Sequence, residues 1–326
     1  MSIRILIVFG TVSNTYGAHR RGLAIGCGGT LGGAWIIAAL AALQDVLDWD
    51  PREAHVLIGT SAGAEIATML GSGIGTGELV DLELGRSANP VLARHLRDAP
   101  GRFPPLPRPR LGSPRLVLRG KGSPQQLLIA GSGLLPVGGG NAEWLQRLAD
   151  GLNPGSDWVP HPSTWLVATD FDTGERVAFG SPDTPAVPLG AALRASWAVP
   201  GWMPPVAIDG HRYVDGGVVS TASADLLAPL ELEELVVLTP MASTGRIRAT
   251  GPGQLLERQL RNRMSATLDA EIATVRARGT RVLHVAATAA DLAVMGPNFM
   301  DGRRRRATFE HSLKSTRRTI EQEAFA

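Results

Sequence analysis

The chain has 326 residues, 44% of them apolar, and a formal net charge of +2. This length is enough for one large domain or two modest ones, and the small net charge excludes a protein that is strongly basic or acidic as a whole. Because Cys27 is the only cysteine, an internal disulfide and a cysteine-based metal cluster are excluded, which is compatible with a reducing compartment.

The first twenty residues predict a strand at residues 3–9, followed by a polar stretch without periodicity at residues 11–20. Residues 3–9 are apolar, but the run is too short to span a bilayer and no clear signal-peptide cleavage site follows it. No run of about 18 apolar residues occurs elsewhere in the chain. We therefore expect residues 1–20 to be an N-terminal leader and the protein to be soluble and cytoplasmic, with peripheral contact with a membrane left open.

The next segment predicts a strand, a glycine-rich turn and a helix, at residues 22–25, 26–33 and 34–47. Two interpretations of the turn remain open. It is either a tight structural turn, or a set of bare backbone amides at a helix N-terminus that binds an anion. Beside a nucleophile, such amides would form an oxyanion hole.

A dinucleotide-binding turn is the least favoured interpretation of this segment, because the glycine pattern is incomplete. Counted from Gly26, the third required glycine is replaced by Leu31. Counted from the next residue, Cys27 stands where the first glycine is required. The sequence therefore does not predict a nucleotide cofactor.

The most informative pattern follows the second predicted strand, residues 56–58. Gly59, Ser61 and Gly63 form a G-x-S-x-G pattern between this strand and a predicted helix that starts at residue 64. The two glycines leave room for a sharp turn, which would present the Ser61 hydroxyl at the positive end of the helix. In the alternative interpretation, Ser61 merely caps the helix. The pattern alone leaves both open.

Residues 86–140 differ from the rest of the chain in composition. Prolines and arginines concentrate between residues 100 and 114, glycines follow, and the hydrophobic periodicity is weak. The segment is too long for an ordinary connection. It predicts a variable cap or lid over a site, and a disordered surface insertion is the alternative.

Apolar strands alternate with helices over the remaining chain. Because buried parallel strands have this pattern, the sequence predicts a three-layer α/β/α fold with a mainly parallel central sheet. The predicted strands lie at residues 165–170, 176–179, 211–214, 235–239 and 281–286, and the helices between them at residues 141–152 and 187–198.

The end of the chain predicts two arginine-rich helices, at residues 254–278 and 299–323, the second containing four consecutive arginines at residues 303–306. An anionic partner, such as phospholipid head groups or nucleic acid, is one interpretation of this run. A solvated helix face is favoured, since most charge runs lie at the surface. No aromatic interleaving or nucleic-acid module accompanies the arginines, so we expect no nucleic-acid partner.

Asp215 is the best candidate partner for Ser61. It ends a predicted strand and is followed by Gly216 and Gly217, which let other backbone approach closely. Burial raises the pKa of a carboxyl group from about 3.9, so that the carboxylate can accept a serine proton directly. The alternative is an ordinary acid in an Asp-Gly bend. The glycine-rich turn, Ser61 and Asp215 each follow a predicted strand, at the edge where open α/β sheets place their sites.

In this order, the glycine-rich turn, the G-x-S-x-G pattern and the Asp-Gly-Gly pattern resemble the patatin-like phospholipase family. Residues 168–174 and 193–201 are also similar to family blocks, and the resemblance covers roughly residues 22–240. It implies the patatin-like fold and a serine lipid acyl hydrolase of the phospholipase A or esterase type, acting on lipid or acyl-ester substrates without a metal or other cofactor.

The resemblance also implies roles for individual residues. Ser61 would be the nucleophile that forms an acyl-enzyme and Asp215 its base, while the N–H groups of Gly28 and Gly29 would form the oxyanion hole. The residues that support these motifs are Cys27, Gly32, Gly59, Gly63, Gly216 and Gly217. We divide the chain into the leader, a catalytic domain at 21–245 with its cap at 86–140, and a C-terminal helical extension at 246–326 that packs on the same domain.

Two departures from the family pattern stand in the glycine-rich turn. The family often has a basic residue at the position of Leu31 and glycine at that of Cys27. We expect Leu31 to remove a charge near the substrate entrance, which weakens the case for anionic head groups. Cys27 is expected to be a small buried thiol.

Two alternatives to a Ser–Asp hydrolase remain. An α/β-hydrolase-type esterase needs a histidine late in the chain, which nominates His284 or His311. His284 lies within a predicted strand and His311 on an arginine-rich helix, so neither is well placed for this role. The other alternative is a non-catalytic acyl-lipid-binding protein with the same fold. The oligomeric state is left open.

Overall fold

The computed structural model describes residues 20–101, 103–106, 112–119, 124–243 and 252–324. All but the last residue of the predicted leader lies outside the described residues. The strands are β1 (Arg21–Ile25), β2 (Val56–Thr60), β3 (Thr164–Asp170), β4 (Arg176–Phe179), β5 (Val206–Ile208), β6 (His211–Asp215), β7 (Glu234–Ser243) and β8 (Arg281–Ala287).

The helices of the first half are α1 (Gly29–Leu47), α2 (Ala62–Gly71), α3 (Thr76–Glu83), α4 (Pro90–Arg97), α5 (Pro114–Arg119), α6 (Pro124–Leu134) and α7 (Glu143–Leu152). Those of the second half are α8 (Leu189–Ser196), α9 (Pro252–Arg276), α10 (Ala289–Met295) and α11 (Arg305–Ala324).

The described strands form one sheet, in the order β5-β6-β3-β2-β1-β7-β8, with β4 also paired to β3. From β3 to β8 along this order all pairs are parallel, whereas β4, β5 and β6 pair antiparallel. Every residue of β2 and β3 is buried, because helices cover both faces of the sheet. The predicted α/β fold with a mainly parallel central sheet is confirmed.

The side chains of β1 show how the three layers are built. Leu23 and Ile25 point into the core that contains α1 and α2, whereas Ala24 points into the core that contains α9. This alternation is the two-residue period of a strand, and it gives each face its own apolar layer. The sheet is therefore the middle layer, with helices packed on each side.

Helix α1 begins at Gly29, earlier than the start at residue 34 that the sequence predicts. The glycine-rich segment is not only a turn, because Gly32 already donates its N–H to the Gly28 carbonyl at 2.9 Å, as in a first helical turn. By length and composition α1 qualifies as a membrane span, but 67% of its apolar window is buried inside the protein. It packs against α2, α3 and α11, as a core helix does.

The four arginines at residues 303–306 have partners within the chain. Arg303 pairs with the buried carboxylate of Asp301, Arg306 pairs with Glu310 at the surface, and Arg304 donates to the Val294 carbonyl. Arg305 pairs with Glu83 of α3, inside the protein. The described part of residues 246–326 contributes strand β8 to the sheet besides its helices, so α11 and β8 belong to the same packed layers as the rest.

We predict that the pair between Glu83 and Arg305 matters more for stability than the pair at Arg306. The Glu83 side chain is 0% exposed, so Glu83→Ala leaves a largely buried guanidinium without its partner and should lower the free energy of unfolding by about 3–5 kcal/mol. The control, Arg306→Ala, breaks a surface pair and should change it by less than about 1 kcal/mol. Urea unfolding followed by circular dichroism measures both, and equal losses would contradict the prediction.

Candidate active site

The register of β3 brings Ser61 and Asp215 together. Thr60, the last residue of β2, pairs with Val167, and Asp215, the last residue of β6, pairs with the next residue of β3, Ala168. Since β2 runs parallel and β6 antiparallel to β3, the two strands end facing one another. Residues 154 positions apart in sequence (215 − 61) therefore meet at the same point of the sheet.

The turn that carries Ser61 is sharp and its backbone is tightly packed. Ser61 has a φ of 57°, in the left-handed region that is strained for a residue with a side chain. A Cβ on Gly63 would overlap the backbone carbonyl of Ile25, and a Cβ on Gly59 would overlap that of Gly63. Glycine at both positions is therefore required for α2 to start this close to β1 and β2.

Ser196 holds the Ser61 backbone in place. The N–H of Ser61 donates to the Ser196 hydroxyl oxygen at 2.9 Å, and that hydroxyl donates to the Val167 carbonyl at 2.6 Å. Both serines are buried. Sequence reasoning missed Ser196, although it lies in one of the blocks that resemble the family, because a single serine on a helix carries no local signal of this contact.

Asp215 is 5% exposed, lies beside the Ser61 hydroxyl in the same cavity, and accepts a hydrogen bond from the N–H of Gly217 at 2.7 Å. Burial raises its pKa from 3.8 to about 6, and the interactions with the Ser61 side chain and the Gly217 N–H oppose that rise. Gly216 fits where a Cβ would lie 2.8 Å from the Val167 carbonyl oxygen. The carboxyl group is thus held against Ser61 in a poorly hydrated place, which makes it more basic than a carboxylate in water.

Gly28 and Gly29 lie at the N-terminus of α1 and line the same cavity as Ser61 and Asp215. Gly29 has a φ of +57° and packs against Phe299 and Met300, where a Cβ would not fit. Among the described residues, neither glycine's N–H donates a hydrogen bond. Two backbone donors at the positive end of a helix are therefore available beside the Ser61 hydroxyl.

The cavity has a volume of about 700 Å³ and mostly apolar walls. One wall comes from the end of α6, another from the middle of α9, and Phe299 closes a third side. Of the described residues that line it, the only charged ones are Asp215 and Arg263. The part played by α9 was not predicted from the sequence, because its arginine-rich composition indicates a solvated helix rather than a pocket wall.

Cys27 and Leu31 are both buried, at opposite ends of the glycine-rich segment. The N–H of Cys27 donates to the Thr221 carbonyl at 2.8 Å, and burial, together with the Asp215 charge, raises the pKa of its thiol far above the usual range. Leu31 is 0% exposed and packs in the core. The expectation that Leu31 lies near the substrate entrance is therefore wrong, because this fully buried side chain is not among the described residues that line the cavity.

The two candidate triad histidines have partners elsewhere. The His284 ring nitrogen Nε2 bonds with the Thr239 hydroxyl at 2.7 Å, and burial lowers the pKa of this histidine to about 4. His311 lies 3.4 Å from the Asp291 carboxylate. Within the described part of the chain, neither contacts Ser61 or Asp215, and no group of three or more His, Cys, Asp and Glu side chains is arranged to hold a metal ion.

The fold and the site together define the class of this protein. A mixed sheet between two helical layers brings Ser61, on a strained turn, next to the buried carboxyl group of Asp215. The sequence model described as patatin-like phospholipase matches residues 23–228. The chain therefore belongs to the patatin-like phospholipase family, a family of lipid acyl hydrolases. VipD from Legionella pneumophila, a solved structure, is similar at 14% identity and a TM-score of 0.46, over 94% of this chain and 67% of VipD. No curated protein matches.

We predict that Asp215 lowers the stability of the fold at neutral and alkaline pH. Its pKa is higher in the folded chain, about 6, than its usual 3.8, so the fold favours the protonated form and loses this advantage as the pH rises through 6. Asp215→Asn should raise the free energy of unfolding near pH 8 by up to about 3 kcal/mol, and the gain should vanish near pH 4.

Urea unfolding at the two pH values measures this difference. Asp172→Asn is the control, because it should change the stability near pH 8 in the opposite direction. Hydrogen bonds from Arg212 hold the pKa of Asp172 below its usual range, so this substitution should lower stability near pH 8. A loss of stability in Asp215→Asn near pH 8, or a gain that persists near pH 4, would contradict the prediction.

Proposed function

We propose that the protein hydrolyses carboxylic esters of lipids through an acyl-enzyme on Ser61, with Asp215 as the base. The observation that carries the proposal is that the Ser61 hydroxyl and a carboxylate that burial has made basic lie side by side in one apolar cavity. A serine needs an adjacent base to become a nucleophile, and no imidazole is required when the carboxylate is poised in this way.

The proposed reaction proceeds in two halves. Asp215 accepts the Ser61 proton as the Ser61 Oγ bonds to the ester carbonyl carbon, and the N–H groups of Gly28 and Gly29 stabilise the charge on the carbonyl oxygen. The bond to the alcohol then breaks, and the alcohol leaves with the proton from Asp215. In the second half, a water gives its proton to Asp215 and adds to the acyl carbon, after which Ser61 takes the proton back and the fatty acid is released.

The cavity supports a substrate with a long apolar part. Its volume is within the range of pockets that enclose drug-sized ligands, and its walls from α6, α9 and Phe299 offer an acyl chain an apolar surface. A phospholipase A or lipid esterase acts on such substrates. We further propose that the catalytic domain expected at residues 21–245 also includes α9, β8 and Phe299, which complete the cavity and the sheet, with residues 86–140 as its cap.

Both alternatives are less well supported. A Ser–His–Asp triad lacks a histidine beside Ser61 among the described residues, since His284 and His311 bond or pack elsewhere. A non-catalytic lipid-binding protein would not need a basic carboxylate against the serine, because apolar walls alone bind an acyl chain. The contact between Ser61 and Asp215 therefore favours hydrolysis.

Ser61→Ala and Asp215→Asn should each lower turnover of a short-chain ester to below about a thousandth of the original rate, because the nucleophile and its base act as a unit. A fluorophosphonate probe should label Ser61 in the unmodified protein. His284→Ala and His311→Ala are the controls, and both should keep their activity and their labelling. Loss of activity in either histidine variant, or full activity in Ser61→Ala, would overturn the proposed mechanism.

The pH dependence of catalysis offers a separate test of the base. Because only the ionised carboxylate of Asp215 accepts a proton, kcat/KM should fall as the pH drops below about 6. The rate of labelling by the fluorophosphonate probe should follow the same curve, since labelling needs the same activated serine. A limb near pH 4, as for a solvated carboxyl group, would show that another group is the base.

A further inference from the structure

The large exposed apolar side chains of the described residues are concentrated in one region. The large ones all lie between residues 103 and 135, and they are Phe103, Leu106, Leu118, Leu134 and Leu135. Leu106 is 92% exposed and Leu118 is 73% exposed, although single exposed leucines elsewhere would be unremarkable. Their concentration in one segment marks a surface that contacts something apolar.

Helices α5 and α6 hold Leu118 and Leu134, and Leu135 follows α6 directly. The two helices lie side by side, and the N–H groups of Gly112 and Ser113 donate to the carbonyls of Leu135 and Gly133, which joins the start of α5 to the end of α6. Leu116, on the inner side of α5, is buried against Phe171 and Val214. The apolar positions on the inner side of the helices are therefore filled. The exposure of Leu118 and Leu134 is not the result of a poorly packed core.

The base of this helical pair is fixed to the sheet. The Arg212 guanidinium donates to the Gly112 carbonyl at 3.0 Å and pairs with Asp172, while the Ser113 hydroxyl donates to the Asp172 carboxylate at 2.9 Å. These bonds hold the pair of helices in place, so that the exposed leucines form a fixed surface. We name it the cap face and define it by Leu118, Leu134 and Leu135.

The charge of the surrounding sequence identifies the partner. Residues 99–142 contain six basic residues and no aspartate or glutamate, in a protein whose formal net charge is only +2. Arg115, on α5 itself, is exposed. A segment whose sequence is basic and without acidic residues, with exposed leucines and Arg115 in its described part, has the composition of segments that bind anionic membranes.

The cap face is continuous with the cavity. Leu135 is exposed and also lines the cavity that contains Ser61, and Gly131 and Ser132 of α6 line it as well. On the α9 side of the same cavity lies Arg263, which is exposed and forms no ion pair with another described residue. A lipid that leaves a bilayer at the cap face would therefore enter the cavity directly, past a positive charge.

We propose that the cap face docks on an anionic lipid bilayer, with Leu118 and Leu134 inserted among the acyl chains and Arg115 facing the phosphate groups. This surface would deliver the lipid to the cavity, and only that delivery step rests on the proposed function. A second copy of the chain is a less favoured occupant, because two such basic faces would repel one another.

The test is vesicle co-sedimentation of the full chain carrying Ser61→Ala, so that binding is measured without hydrolysis. Phosphatidylcholine vesicles with and without phosphatidylglycerol are compared, at low and at high salt. We expect binding only to vesicles with the anionic lipid, and weaker binding at high salt. Equal binding to both kinds of vesicle, or to neither, would overturn the proposal.

The residues of the cap face are then tested in the same background. Leu118→Ser with Leu134→Ser should weaken binding at least tenfold, because two leucine side chains no longer insert. Arg115→Glu should weaken it about tenfold, whereas Arg318→Glu, an equal charge change on the exposed side of α11, should leave it nearly unchanged. Melting temperatures close to that of the parent show that each variant is folded.

Two further outcomes separate this proposal from the proposed function. Size-exclusion chromatography that shows a dimer lost in the leucine variant would assign the cap face to a second copy and overturn membrane docking. Hydrolysis of a soluble short-chain ester by the protein without substitutions, together with no vesicle binding, would refute the cap face and leave the proposed function standing. Vesicle binding without ester hydrolysis or probe labelling would support membrane docking by the cap face and refute the proposed function.

Discussion

The register of the central strand β3 is the constraint on which the site depends. It pairs the end of β2 with Val167 and the end of β6 with Ala168, so that Ser61 and Asp215 are fixed by backbone hydrogen bonds rather than by flexible side chains. The same Val167 carbonyl accepts the Ser196 hydroxyl that holds the Ser61 backbone. A shift of β3 by one residue would reverse the faces of its side chains and separate all these groups at once.

Burial gives Asp215 its basicity and also opposes its charge. The sheet end excludes water from the carboxyl group, while the Ser61 hydroxyl and the Gly217 N–H supply the only described polar partners. The fold thus holds an ionised group where it would favour a neutral one, a strain of the kind that active sites store. The remainder of the stability comes from the two apolar layers on the sheet, which α1 and α9 help to build.

The sequence predicts the parts of this protein whose signals are local. Alternating strands and helices indicate the sheet, and Ser61 and Asp215 stand out because glycines beside them mark sharp turns. Ser196, Phe299 and α9 could not be found in this way, since their roles arise from contacts between distant segments. Leu31 was misplaced because its position was taken from the family resemblance, whereas α1 begins at Gly29 and carries Leu31 into the core.

The packing of Phe299 over the glycine-rich turn has a consequence for biosynthesis. The Leu31 N–H donates to the Phe299 carbonyl, and the Phe299 ring lies against Gly29. During translation the turn leaves the ribosome long before Phe299 does, so a nascent chain lacks this wall of its pocket. The complete site therefore forms only after Phe299 has been synthesised, and products of premature termination before Phe299 are released without it.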